Sequence, residues 1–321
     1  VDAYEKGIRN YDIDQAFTYS KNSVDTFGNG ERGYAKGDKG VISETLEYAY
    51  ADWCLGHFAE SLGKQAIADE YYAKSKAYKN LWNDEVQWFR AKDDAGNWAA
   101  WQGKTVHGQG CRESNPYQQG WFVPHDVPGL VELMGRAHFT AELVALFDNT
   151  PSDFLWNDYY NHANEPVHQV PFLFNEIGMP WLTQKWTRII CDKAYGADRY
   201  GICGNEDVGQ MSAWYVLAAM GIHPINPGDG KYQITSPVFN KVEVQLDPEY
   251  CSGKTFTIEA HNNSPQNIYI QKAELDGQSF NRSWIHHREL ARGGRLELWL
   301  GPVPNQQWGR SCNRAHPLGA Q

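Results

Sequence analysis

The sequence has no run of basic residues, no C-x-x-C pair, no repeat of fixed short period and no apolar stretch approaching a membrane span, which needs about 18 residues. Each absence excludes something. Lys and Arg number 29 against 39 Asp and Glu, a formal net charge of −10 at pH 7. With no basic block to meet a phosphate backbone, no nucleic-acid partner is expected. No membrane span is expected either. The first ten residues, VDAYEKGIRN, mix charges and contain no apolar h-region, so no signal peptide is expected in the chain. The six cysteines (Cys54, Cys111, Cys191, Cys203, Cys251, Cys312) are scattered, a spacing that disfavours zinc. Cys54 is expected to be a core thiol. Disulfides among the others would suit an exported protein, and their pairing stays open.

Aromatic residues are plentiful: 13 Trp, 18 Tyr and 13 Phe make 14% of 321 residues. Such rings fill cores, and they also stack on the flat apolar faces of sugars. Composition fits either use. The length suits one large domain or two ordinary ones.

The pattern of the chain changes near residue 225. Before it, apolar residues recur at helical spacing. Leu46, Tyr50, Trp53 and Cys54 share one face of a helix read from Ser43 as N-cap to Gly63 as stop. Segments at 65–82, 126–147, 180–195 and 207–220 read likewise, giving about seven to nine helices. Long loops rich in Gly, Pro, Asn and Trp separate them at 28–42, 90–125 and 157–170, and long loops in compact domains are usually functional. After Pro227, KYQITS, KVEVQL, KTFTIEA, IYIQKAEL and RLELWL alternate with period two, with Asp276-Gly277 as a hairpin signal. The expected fold class is mainly α, an incomplete (α/α) toroid over 1–225, with an appended antiparallel β region over 226–309 and a tail over 310–321.

Glycosidic hydrolysis needs two carboxyl groups, one to protonate the leaving oxygen and one to attack or to activate water. Three loop stretches hold candidates. In GCRESNPYQQGWFVPHD, Glu113 lies among amides and aromatics, as a general acid with a raised pKa would; it also reads as an ordinary exposed loop acid. In YYNHANEPVHQVPFLFNE, oxygen donors of the kind a hard cation takes crowd around a proline turn, and so do two histidines that could simply close local hydrogen bonds. In GNEDVGQMSAWY, Glu206 and Asp207 precede an amphipathic helix. The helix dipole alone accounts for acids there, and the same dipole favours an ionised base. His125 and Asp126 either line a pocket or, for Asp126, cap the helix that follows.

Taken together, ESNPYQQGWFVPHDVPGL, NEPVHQVPFLFNEIGMPWLTQKW and GNEDVGQMSAWYVLAAMGIHPINPG, with YAKGDKGVISETLEYAYADWCLGHFAE before them and PVFNKVEV and TFTIEAHNNSPQNIYIQ after, resemble glycoside hydrolase family 92. These are calcium-dependent, exo-acting α-mannosidases. The resemblance implies inverting hydrolysis of terminal α-linked, α-1,2 mannose from a mannose-containing glycan, with export to the periplasm or outside. It implies Glu113 as general acid and Asp207 as base, with Glu206 structural. It implies calcium held by His168, through its carbonyl, and Gln169. Glu165 would contact the leaving sugar; Asn164 stands where α-1,2-specific members can carry His, and Asn205 where some members have a second Asp. Members of the family begin with an N-terminal β-sandwich that walls the site. The resemblance implies that this chain corresponds to the C-terminal part, with the wall supplied by such a domain or by a second copy. A non-catalytic mannose-binding remnant and another toroid hydrolase, such as an α-glucosidase, are the alternatives.

Overall fold

A computed structural model of the chain describes residues 1–37 and 39–310; Cys312 and nearly all of the expected tail lie outside the described residues. The described chain divides into two compact units, Val1–Val167 with Asn226–Asp229, and His168–Ile225 with the residues from Gly230 onward. The fold class is as the sequence reads, mainly helical with a β region after it. Seven helices among the described residues have eight residues or more. No helix among them is long and apolar enough to cross a membrane.

In the first unit, the longest helix, Val41–Ser61, begins at Gly40 rather than at Ser43. Ser43 is buried inside it, and its hydroxyl is taken by a distant loop. The buried face is also broader than the Leu46–Cys54 stripe: Val41, Ile42, Thr45, Ala49, Asp52, Leu55 and Phe58 are all buried. Leu55, Phe58 and Ala59 pack with Ala68 and Tyr71 of the helix Gln65–Lys74 and with Phe17. Phe17 belongs to Ile13–Phe27, a helix started by the Asp12 side chain accepting the Gln15 amide at 2.9 Å. Phe17 is its one buried residue, with Ile13 and Val24 partly buried on the same face. The segment read over 65–82 ends as α-helix at Lys74 and continues as a 3-10 turn, Ala77–Leu81. The segment read over 126–147 breaks at Gly135 into Val127–Met134 and Arg136–Asp148.

Trp88 and Trp121, both buried, meet edge to face at 5.3 Å, and Trp121 meets Phe139 in the same way. The Trp88 indole donates to the Pro116 carbonyl at 2.6 Å. A large share of the aromatic content therefore fills the core and anchors the loop that carries Glu113.

The second unit contains the helices Pro180–Lys193 and Gln210–Met220 together with the strands from Ile222–His223 onward. The change of pattern near residue 225 is thus a change of element type within a unit. A five-stranded sheet has the order Lys241–Gln245, Thr255–His261, Gly294–Gly301, Tyr269–Leu275, Gln278–Ser279. Its pairs are antiparallel except one. Gly294–Gly301 runs parallel to Thr255–His261, with Leu296 opposite Ile258 and Leu298 opposite Ala260. These residues join Phe256 and Ile270 in one apolar core. Asp276 and Gly277 both have positive φ and close the hairpin of Tyr269–Leu275 and Gln278–Ser279, as the Asp-Gly signal predicts. A three-stranded sheet of Ile222–His223, Lys231–Ile234 and Trp284–His286 completes the unit.

Candidate active site

The loop carrying Glu113 is docked on the first turn of the helix Val41–Ser61. A helix start leaves amides without partners, and here the Gly110 carbonyl accepts from the amides of Ile42 at 2.7 Å and Ser43 at 3.3 Å. The Ser43 hydroxyl in turn accepts the Arg112 amide at 2.9 Å, and the Arg112 guanidinium pairs with Glu44, Nε to Oε1 2.7 Å. A Cβ at position 40 would stand 2.6 Å from that Glu44 oxygen and 2.7 Å from Arg112 Nε, so any larger residue there would displace these flexible side chains. Between these anchors Glu113 is exposed, and its φ of +53° lies in the left-handed region. A non-glycine residue held there by its surroundings is a recurrent mark of functional sites.

Beyond Glu113, the Asn115 side chain caps the short helix Pro116–Gln119 by accepting the Gln118 amide at 2.9 Å. The same asparagine donates to the Asp158 carbonyl at 3.0 Å, and Gln118 donates to the carbonyls of Asn157 and Tyr159 at 2.5 and 2.9 Å. The helix also packs on the turn Glu165–Val167. The fold thus brings the Glu113 stretch and the Asn164–Glu165 stretch into one neighbourhood. Asn164 is buried, its amide bonded to the Asn161 carbonyl at 3.1 Å, and Glu165 is half-buried.

Glu47 lies one turn beyond Glu44 and was not legible as a site candidate from sequence. Glu47 is exposed as a residue, and partial desolvation of its carboxyl, then the Glu44 charge, hold it above the ordinary carboxylate range. Gln119 reaches it at 3.5 Å. A lone acid in a helical run carries no local signal, so only the contact with the Glu113 loop marks it.

Asp126 is a cap. It accepts the Gly129 amide at 3.1 Å, Lys76 Nζ at 2.7 Å and the Tyr78 hydroxyl at 2.6 Å. Burial pushes its carboxyl up, and the Lys76 and Tyr78 donors outweigh that and hold it below its usual value. His125 is buried against Tyr50 and Tyr78, bonded through Nε2 to the Ser75 carbonyl at 2.9 Å. Burial lowers its pKa to about 4, so the ring is neutral and packs in the interior.

In the second unit the two neighbouring acids separate in role. Glu206 accepts the Ser212 amide, at 3.2 and 3.3 Å to its two oxygens, and so satisfies the start of the helix Gln210–Met220. Asp207 is exposed and opens a 3-10 turn, Asp207–Gly209. The next two residues are both left-handed, Val208 at φ 54° and Gly209 at φ 79°. For a β-branched valine this is an outlier, and Val208 is fully exposed, so no packing of its side chain repays the strain. Asn205 is half-buried beside them.

His168 and Gln169 are buried. The His168 carbonyl accepts the Trp214 indole N–H at 2.9 Å, and its ring Nδ1 lies 3.4 Å from the Gln210 side chain. Trp214 and Gln210 stand on the helix that follows Asp207, so within this unit the fold brings the expected metal donors and the expected base to one helix. Among the described residues no group of three or more His, Cys, Asp or Glu side chains could hold a metal. The donors expected here are of another kind, a backbone carbonyl with a second lone pair and an amide oxygen. They suit a hard cation that takes about six to eight oxygens in all, the others coming mostly from water and sugar hydroxyls.

Exposed loop carboxylates, Glu113 in the first unit and Asp207 in the second, on a helical fold with a β region, make glycoside hydrolases the class to compare. The model of the glycosyl hydrolase family 92 catalytic domain matches residues 1–302, and the chain belongs to that family. It is 33% identical over 306 residues to an uncharacterized secreted glycosidase of Arthroderma benhamiae, covering 87% of this chain and 38% of that protein. The structure is similar to a family GH92 α-mannosidase from Bacteroides thetaiotaomicron, with TM-score 0.90 and 29% identity over 97% of this chain and 42% of that one. It is also similar to a family GH92 inverting mannosidase from the same organism, with TM-score 0.83 and 37% identity over 97% of this chain and 46% of that one. The chain therefore spans less than half the length of the relatives it matches.

Proposed function

We propose that this chain carries the two catalytic carboxyls of an inverting, calcium-dependent exo-α-mannosidase that removes terminal α-1,2-linked mannose from glycans. Family membership over residues 1–302 is the observation that carries the reading. The posture of Glu113 and Asp207 supports it, each exposed at a loop held by its neighbours.

Glu113 protonates the glycosidic oxygen as the bond to the anomeric carbon breaks. Asp207 takes a proton from a water that attacks that carbon from the opposite face, so the product leaves as β-mannose. Inversion of this kind needs the two carboxyls about 6.5–9.5 Å apart, with the water between sugar and base. Arg112, held on Glu44, and Ser43 orient the acid's loop; Glu206 spends its charge on the helix start and leaves the base role to Asp207. Asn164 and Glu165 bind the sugar that departs, and Asn205 supports the base. The His168 carbonyl and the Gln169 amide oxygen would hold calcium, which when bound supplies positive charge to sugar hydroxyls. The reading includes a further wall for the sugar, from an N-terminal β-sandwich or a second copy of the chain, and a secreted or periplasmic setting.

The test is mannose release from α-mannobiosides by the purified chain, with calcium and with chelator, following the anomer by proton NMR. Calcium-dependent β-mannose is the expected product. Calcium-dependent mannose binding by a folded chain without turnover would replace the reading by a mannose-binding one. Release of glucose but not mannose from a matched panel would make the protein a different toroid hydrolase.

A further inference from the structure

A carboxyl taken out of water is normally answered by a cation or by several donors, because an unanswered buried charge is costly. Asp52 breaks that rule. It is 3% exposed, on the helix Val41–Ser61, and no hydrogen bond or ion pair reaches its carboxyl among the described residues. Its open side lines a cavity of about 480 Å³ that Asp25, Glu31, Lys74, Lys76 and Asn80 also line. The donor side chains of that wall each hold another partner, and none bonds Asp52. Lys74 holds Glu70 at 2.6 Å and Lys76 holds Asp126 at 2.7 Å. The Asn80 amide donates to the Gly33 carbonyl at 2.8 Å. Asp25 is already answered by Lys21 at 2.6 Å and by the Tyr71 hydroxyl. Acceptors on this wall that nothing answers are the carboxyls of Asp52 and Glu31 and the amide oxygen of Asn29, which is buried with no partner.

Unanswered acceptors beside a buried carboxyl that no donor reaches ask for a positively charged donor. A bare metal ion is a poor fit, since no metal-holding cluster of acids forms among the described residues. The space also falls in the range of small-molecule sites, about 300–1,000 Å³. We propose that this cavity binds an organic ammonium group, a protonated alkylamine, with Asp52 as its counter-ion. Neither Glu113 nor Asp207 lines this cavity, and the inference does not depend on what those residues catalyse.

The charge balance makes binding depend on pH. Burial pushes the Asp52 carboxyl up to about 7; Lys74 opposes the shift, while Asp25 and Glu70 add to it. Glu31 and Lys76 are the other charged groups on the cavity wall. An ammonium needs Asp52 ionised, so affinity rises as pH passes 7, while an alkylamine stays charged to about pH 10.

The experiment is calorimetric titration of the full chain with 5-aminopentan-1-ol and, as a neutral match in length, pentane-1,5-diol. At pH 8 the amine is expected to bind at least tenfold more tightly than the diol, and to weaken at least tenfold at pH 5.5. Asp52→Asn, close to isosteric, should lose the preference while melting no lower than the parent. Lys74→Met, which removes the nearest like charge, should bind the amine at least as well. Nα-acetyl-lysine amide, run in parallel, separates the sources: tighter binding than the amino alcohol points to a lysyl side chain of a polypeptide, weaker binding to a free small amine. Equal binding of diol and amine, no binding of either by the folded chain at pH 8, or an unchanged preference in Asp52→Asn overturns the proposal.

Discussion

Glu113 and Asp207 differ in the step they serve, and their substitutions should differ in kind. Glu113→Gln removes a proton donor, for which a kcat loss of about 10²–10⁴ is expected on a mannobioside. The loss should be much smaller on an aryl mannoside whose leaving group needs no proton. Asp207→Asn should lose a similar factor on both substrates, because water activation is common to them. Comparing kcat across the two leaving groups checks the assignment. Glu206→Ala, by contrast, removes the acceptor of the Ser212 amide; it should leave kcat within a few-fold and cost about 0.5–2 kcal/mol of stability, read from denaturant unfolding. Asp52 gives a prediction of opposite sign. Its folded carboxyl is raised from an ordinary 3.8 to about 7, so between those values the folded state binds more protons than the unfolded. Stability from this group is therefore greatest below pH 4 and falls as pH rises through 7, by about 4 kcal/mol in total. Asp52→Asn should raise the melting temperature at pH 8 and leave it nearly unchanged at pH 4.

At the scale of elements, the acid's loop and the first turn of the helix Val41–Ser61 form one device. Ser43→Ala deletes the acceptor of the Arg112 amide and should cost about 0.5–1.5 kcal/mol. Because the loop carries the acid, kcat should fall together with stability, by about tenfold or more for a displacement of the order of 1 Å. Ser43→Thr, which keeps the hydroxyl, should restore part of both. Rescue of stability without kcat would show that Ser43 serves the fold alone.

Much of the element level was legible. Pro180–Lys193 and Gln210–Met220 lie where the 3.6-residue period puts them, and the five alternating runs are strands. Other features escaped for definite reasons. Ser43 has the chemistry of an N-cap, yet its partner is Arg112, 69 residues on, so the helix starts earlier. Ile13–Phe27 has only a thin stripe, Phe17 buried with Ile13 and Val24 partly buried beside it, and polar residues between them mask it. The parallel pairing of Thr255–His261 with Gly294–Gly301 is invisible to alternation, which is the same for either strand direction.

For the whole molecule, the function rests on a chain that spans 38–46% of the relatives it matches. If His168 and Gln169 hold calcium that the sugar completes, chelation should abolish turnover while changing the melting temperature little, since few of the cation's ligands are protein atoms. Mannose and calcium should stabilise together by more than the sum of each alone. A thermal shift matrix of the two ligands checks this, and simple additivity would remove calcium from the sugar site.

What the sequence by itself determined is local or consecutive: the helical and alternating periods, the Asp276-Gly277 turn, the Asp126 cap, and the long motifs that mark family 92. These are legible because a period, a cap or a motif needs only neighbours in the chain. Tertiary structure decided the rest. It gave the start of the helix Val41–Ser61 to Arg112 and the Gly110 carbonyl, spent Glu206 on Ser212 and left Asp207 exposed, tied His168 to Trp214, and buried Asp52 without a partner. Each of these turns on which donor or charge stands opposite, and a side chain's partner across space is set by how the elements pack.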